Sequence, residues 1–152
     1  MATLISTCSY AIESAGWRDF ASVRQLEQVC FPKDAWPVWD IVGVLTLPNV
    51  VRLKAICGDQ LVGFVAGDIR RSENLSWIAT IGVLPEFRGQ GIGLRLLTAC
   101  EALLPTPAIR LCVRMTNDEA IRLYKNNGYH NFSVWDKYYT DGEAALVMEK
   151  KR

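Results

Sequence analysis

The stretch Arg88-Gly89-Gln90-Gly91-Ile92-Gly93 lies between an apolar run, residues 77–83 (WIATIGV), and a helix-like run, residues 92–104. Three alternate glycines strip side chains from a turn between strand and helix, so the backbone N–H groups that open the helix can be approached closely. Such a turn is suited to holding phosphate. The spacing narrows the ligand. A dinucleotide fingerprint, G-x-G-x-x-G, beginning at Gly89 requires glycine where Leu94 stands, and the Gly-Lys-Ser/Thr of a P-loop is absent throughout. What remains is Arg-x-x-Gly-x-Gly, preceded by VLPEF at residues 83–87 and followed by an amphipathic helix. On these residues alone, a Gly-rich surface turn is the competing reading.

Working outward, residues 8–13 alternate weakly and suit a first, edge strand. Phe20, Val23, Leu26 and Cys30 recur at helical spacing, with Arg18, Arg24, Gln25, Glu27 and Gln28 assigned to the solvent face. Residues 31–37 (FPKDAWP) hold two prolines and interrupt that helix; a second, short helix starts with Pro37 at its first position and carries Val38, Ile41, Val42 and Leu45 on one side. Residues 50–57 and 61–68 read as a hairpin turning at Gly58-Asp59-Gln60. After the glycine turn, Ile92, Leu96, Leu97, Cys100, Leu103 and Leu104 form one helix face and Arg95, Thr98 and Glu101 the other, until Pro105 and Pro107 end the helix. Residues 108–114 alternate as a strand. Asn117 caps a helix that stops at Asn127-Gly128, and residues 132–135 and 144–150 supply two more strands. The order β, α, α, β, β, β, α, β, α, β, β predicts one domain over residues 1–152: an α/β fold with a mixed, largely antiparallel central sheet and helices on both faces.

Composition bounds the function. A chain of 152 residues, half of them hydrophobic and 22% charged, can bury a full core. A formal net charge of +1, from 17 basic and 16 acidic residues, argues against a nucleic-acid or anionic-membrane partner. The five cysteines are scattered, without a C-x-x-C pair and with a single histidine, His130, which reads as a plain strand-start residue. This pattern disfavours a disulfide framework and a zinc site and fits free thiols in a reducing cytosol. No apolar run is long enough to span a bilayer, and residues 1–10 lack a signal peptide's basic start and apolar run, so the expected location is cytoplasmic.

Taken with Asn117-Asp-Glu-Ala-Ile-Arg-Leu-Tyr124 and Gly128-Tyr129, the Arg-x-x-Gly-x-Gly turn resembles the pyrophosphate-binding motif of the GNAT superfamily of N-acetyltransferases. Over the last two-thirds of the chain the resemblance is to bacterial N-alpha-acetyltransferases of the ribosomal-protein-alanine type. Three features carry it: Phe31-Pro32 with Trp36, Leu111-x-Val-Arg114, and Tyr138-Tyr139-Thr-Asp-Gly142 with Ala145 and Met148. The resemblance implies acetyl-coenzyme A as co-substrate and no metal. It implies a cofactor site of Ile81, Gly82, Val83, Arg88, Gly89, Gln90, Gly91, Ile92, Gly93, Asn117 and Tyr124, with a backbone N–H of residues 81–83 stabilising the oxyanion. Tyr124 is the implied acid, a phenol with a reference pKa of about 10. The resemblance implies that Tyr138 and Tyr139 line the acceptor groove, and Phe31 and Trp36 offer a wall for it; packing against the core edge and across strands is the alternative for these rings.

The sequence departs from the family at Cys112, which stands where a glutamate base is expected. A thiol with a reference pKa near 8.5 substitutes poorly for a carboxylate, and burial raises it further. Protein N-termini soften the requirement: an α-amine, with a reference pKa of about 7.7–8.0 against about 10.4 for lysine, is roughly a tenth neutral at neutral pH, whereas about one lysine in a few thousand is. The expected acceptor is therefore a protein N-terminus; a small amine or lysine side chain, and a non-catalytic acetyl-coenzyme A sensor, are the alternatives. The expected state is a monomer or homodimer.

Overall fold

A computed structural model describes residues 7–152, so the first six residues of the segment read against a leader lie outside the described residues. The chain forms β1 (Tyr10–Ser14), α1 (Phe20–Cys30), α2 (Val38–Thr46), β2 (Val50–Cys57), β3 (Gln60–Arg70), β4 (Leu75–Val83), α3 (Ile92–Leu103), β5 (Ala108–Arg114), α4 (Asp118–Asn126), β6 (His130–Trp135) and β7 (Ala145–Lys151). The seven strands make one sheet in the order β1-β2-β3-β4-β5-β7-β6. Every neighbouring pair is antiparallel except β4 and β5, which α3 connects as a parallel crossover. The mixed sheet predicted from the order of elements is present, and His130 heads β6 as expected. Among the described residues, no helix is long and apolar enough to cross a membrane.

Helices cover both faces. Val65 of β3, Ile78 of β4 and Ile109, Leu111 and Val113 of β5 pack with Ile92, Leu96, Leu97 and Cys100 of α3 and Tyr124 of α4. On the opposite face Phe64 and Ala66 of β3 meet Val23 and Leu26 of α1 and Ile41 and Leu45 of α2. Covered on both sides, β3 reads as a nearly continuous buried run rather than an alternating one.

One irregularity parts the sheet. The β3–β4 register steps from Ala66↔Thr80 to Gly67↔Ile78, leaving Ala79 as an extra residue on β4. Parallel pairing of β4 with β5 ends at that point, with Ile78↔Leu111 its last pair. A bulge bends and twists the strand that carries it. Beyond Ala79, β4 follows β3 and leaves β5, which stays with β7 as far as Arg114↔Ala145. A wedge opens between the two parallel strands.

Several expectations need correction. Glu27, assigned to the solvent face of α1, is 1% exposed, and Glu101, assigned to the solvent face of α3, is 7% exposed while Leu103 is 57% exposed. Both carboxylates are buried because distant segments supply partners: Thr80 Oγ1 donates to Glu27 (2.6 Å), and Lys150 Nζ lies 2.9 Å from Glu101. Pro37 is the N-cap of α2 rather than its first helical residue, and Val38 is 39% exposed. The cysteines are not all free thiols: Cys8 and Cys57 form a disulfide, with Cα atoms 6.2 Å apart, because the antiparallel register that pairs Tyr10 with Cys57 lays residue 8 beside the end of β2. The cysteines therefore do not mark a reducing compartment. Cys30, Cys100 and Cys112 are free.

Candidate functional site

The glycine turn owes two of its three glycines to backbone geometry. Gly89 and Gly91 have φ of +79° and +80°, and a Cβ on either would meet nothing within 4 Å, so conformation rather than space demands glycine. A side chain in the left-handed region costs roughly 1–2 kcal/mol. Gly93 is helical, and a Cβ there would find Val83 at an ordinary 3.7 Å. Gly91 is the N-cap of α3; no side chain caps this end and no acidic residue occupies its first turn. The first amides therefore have neither an intrahelical acceptor nor a carboxylate to neutralise the positive end of the helix dipole. Arg88 Nε donates to the Val83 carbonyl (2.9 Å), and Gln90 Oε1 accepts from the Cys8 N–H (3.3 Å), which fixes the turn against β4 and the segment before β1.

The wedge lies beside this turn. Leu84 donates its N–H to Val62 O, so by antiparallel alternation the pair Gly82↔Phe64 is hydrogen-bonded to β3, while Ile81 and Val83 turn their N–H and C=O groups to the open edge. The Val83 carbonyl accepts from both Arg88 Nε and Cys30 Sγ on that edge. Gly82 has a different role from its neighbours. A Cβ there would lie 3.3 Å from both Leu26 Cδ2 and Cys30 Sγ, so glycine lets α1 settle against β4. Glu27 is thereby placed between Thr80 and the backbone N–H of Trp36, and burial pushes its carboxyl above the usual range even though both donors oppose the shift.

Tyr124 and Asn117 belong to the α3 side of the sheet. The Asn117 side chain caps α4, accepting from the Ala120 N–H at 3.2 Å. Tyr124 is 7% exposed, edge-on to Tyr129 with centroids 5.8 Å apart; burial pushes its phenol up to about 12, so it keeps its proton at neutral pH. On β5, Leu111 and Val113 point into this core, and Arg110, Cys112 and Arg114, half-buried, alternate to the other face. Burial pushes the Cys112 thiol up, which makes it a neutral group rather than a proton acceptor near pH 7.

Around Cys112 gather residues from the far end of the chain. Tyr138 and Tyr139 both lie within electrostatic reach of its sulfur, with their rings perpendicular and centroids 5.0 Å apart. Tyr138 also meets Trp135 at 5.6 Å. Across from them, Trp36 packs on the α1–α2 core and Phe31 follows the last turn of α1, its N–H bonded to Glu27 O (2.8 Å). Asp34, between these two aromatics, is bonded to Arg114 and draws the loop toward Cys112. Sequence reasoning missed Glu27 and Asp34: each is an ordinary carboxylate until its partner, 53 or 80 residues away, is folded beside it. The one local sign of Glu27 was its position next to Leu26 on the edge of the apolar stripe.

The seam between the parallel strands β4 and β5 thus has the uncapped N-terminus of α3 on one side of the sheet and the Cys112–Tyr138–Tyr139 cluster on the other. The chain belongs to the acetyltransferase (GNAT) family, whose model matches residues 20–129. It is 33% identical to an uncharacterized N-acetyltransferase of Methanocaldococcus jannaschii over 89% of this chain and 87% of that one. It is 31% identical to the N-alpha-acetyltransferase RimI of Mycobacterium tuberculosis over 77% of this chain and 76% of that one. The fold is shared with the ribosomal-protein-S18-alanine N-acetyltransferase of Escherichia coli, with a TM-score of 0.85 over 94% of both chains at 22% identity.

Proposed function

We propose that this GNAT enzyme transfers the acetyl group of acetyl-coenzyme A to the N-terminal α-amine of a protein, in a ternary complex and without an acyl-enzyme. The observation that carries the reading is the divergence of β4 from β5 at Ala79, which sets the bare N-terminus of α3 on one face and the Cys112–Tyr138–Tyr139 groove on the other. The turn of residues 88–93 holds the diphosphate, with Asn117 at the start of α4 facing the same donor. The N–H groups of Ile81 and Val83, on the open edge, serve the oxygen that gathers charge as the amine nitrogen bonds to the acetyl carbon. The acetylated nitrogen releases a proton to water; as the carbon–sulfur bond breaks, Tyr124 gives its proton to the sulfur and regains one from solvent.

Phe31, Trp36, Tyr138 and Tyr139 line the groove for the acceptor's first residues. Cys112 fills the base position as a neutral thiol, so the acceptor must bring a substantial neutral fraction of its own. That supports an α-amine over a lysine side chain. A ribosomal-protein N-terminus is the proposed natural acceptor, by analogy with the Escherichia coli enzyme of the same fold, and the cytoplasmic location proposed with it rests on that acceptor and not on the cysteines.

The test is incubation with acetyl-coenzyme A and a panel of N-terminal peptides, N-terminally blocked lysine peptides and polyamines, with thiol release as readout. Acetylation of free N-terminal peptides is expected, with blocked lysine peptides unmodified. Transfer to polyamines alone overturns the acceptor assignment, and tight donor binding without turnover on any acceptor overturns the enzymatic one.

A further inference from the structure

The two walls of the acceptor groove come from segments about a hundred residues apart, and the Arg114 side chain joins them. Arg114 stands at the end of β5, on the same face as Cys112 and two residues beyond it, with its side chain 16% exposed. Its Nε and Nη2 form a two-point fork on Asp34, 2.7 Å to each carboxylate oxygen, in the loop that carries Phe31 and Trp36. Its Nη1 reaches Asp141 (2.9 and 3.1 Å) and Glu143 (2.8 Å) in the segment that follows Tyr138 and Tyr139. The guanidinium also sits 4.2 Å from the centre of the Tyr139 ring, so it touches one of the groove's own walls.

The carboxylates are held in turn. Glu143 accepts from the Thr116 N–H and hydroxyl through its other oxygen, and Asp141 accepts from the Glu143 N–H. Lys33 approaches Asp141 only to 3.8 Å with its own side chain 73% exposed, too open and too distant to replace the fork. Three carboxylates converge on one cation. Without it they repel one another and the two loops lose their common anchor.

We propose that Arg114 is a positioning residue: it fixes the Phe31–Trp36 loop and the Tyr138–Glu143 segment at one separation and so sets the width of the groove in which the acceptor amine is aligned. The proposal rests on the acceptor site assigned above. The planar fork is essential to it, because lysine carries the charge but cannot bond Asp34 at two points while reaching Asp141 and Glu143. Misplacing an acceptor by about 1 Å is enough to cost on the order of a hundredfold in productive encounters.

The experiment compares wild type with Arg114→Lys, Arg114→Gln, Asp34→Asn and the Arg114→Gln/Asp34→Asn pair. It measures the acceptor KM and kcat, the acetyl-coenzyme A Kd, the thermal midpoint and amide hydrogen exchange. We expect the acceptor KM to rise roughly tenfold or more in Arg114→Gln and nearly as far in Arg114→Lys. The donor Kd stays within about twofold, since Asn117, the donor-side residue beside the network, meets Arg114 through its backbone N–H to the Arg114 carbonyl (3.0 Å), a bond that these side-chain substitutions keep. The double variant costs no more than the worse single, because both remove one link. Exchange rises together in residues 31–36 and 138–143 and not at the start of α3.

Unchanged exchange in both loops overturns the proposal whatever the acceptor is. So does full rescue by lysine, or a loss of donor binding in step with the acceptor KM. If wild type proves to acetylate only small amines, the protein N-terminus reading fails, and the KM for that amine together with the exchange pattern still decides the role of Arg114. Asp34→Asn, which keeps the cation, covers the case in which an Arg114 variant fails to fold.

Discussion

The halves of this site proposed to take the donor and the acceptor are built in different ways. The donor half is backbone: two left-handed glycines, an uncapped helix start and the open edge of β4, all within residues 79–94. The acceptor half is side chain: aromatics and charges from residues 31–36, 112–114 and 138–143, held by ion pairs across the sheet. A backbone site tolerates almost any neighbour but not a change of φ. A side-chain site tolerates backbone change but not loss of a partner. Substitutions should therefore separate the halves.

The largest separation is expected from Tyr124→Phe. Removing the phenolic proton should lower kcat by about a hundredfold, within the range for general acid catalysis, with the acetyl-coenzyme A Kd little changed. Activity equal to wild type in a single-turnover assay would show that the sulfur gets its proton elsewhere. Next comes Gly91→Val. A β-branched residue at φ +80° distorts the N-cap of α3, and the donor Kd should weaken by roughly tenfold, about 1.4 kcal/mol, while the acceptor KM holds. Calorimetric titration with acetyl-coenzyme A checks the first part, and an equal rise in both constants would erase the distinction between the halves.

Glu27→Gln is a stability prediction with a defined sign. The folded carboxyl is raised above its unfolded value of 4.5 by burial, so the folded state binds the proton more tightly. Stability from this group is present below the unfolded pKa and is lost as pH rises from there through the folded pKa. Glutamine keeps one accepting oxygen for Thr80 and cannot ionise. The variant should equal or exceed wild type in thermal midpoint at pH 7, by about 2–4 °C for each kcal/mol regained, and the gap should close in acid. A midpoint that falls at neutral pH would mean that the ionised carboxylate is itself needed between α1 and β4. The smallest effect is expected from Cys112→Ala. A neutral thiol that takes no proton should change kcat by less than about threefold, and a fall of a hundredfold would make the sulfur part of the chemistry after all.

Most of the fold was legible because it is written locally. Residues 50–57 and 108–114 announce their strands by composition and alternation, and both boundaries match β2 and β5. Asn117 announces the start of α4 by its capping chemistry. What failed was the fate of individual polar groups. Glu27 and Glu101 were placed outside by helical periodicity, although a buried carboxylate needs only one distant donor to stay inside, as Thr80 and Lys150 supply. The Cys8–Cys57 pair failed for the same reason: a separation of 49 residues says nothing until strand register brings the two together.

Within the site, the sequence by itself determined the glycine turn proposed to hold the diphosphate, since positive φ and a bare helix start depend on residues a few positions apart. It also marked Cys112 as a departure from the expected base. Only the tertiary structure decided that β4 leaves β5 at Ala79, that Gly82 serves the approach of α1, and that one guanidinium joins the walls of the groove. Each of these depends on contacts between segments that share no local pattern, and charge or shape complementarity of that kind comes into being only when the sheet is assembled.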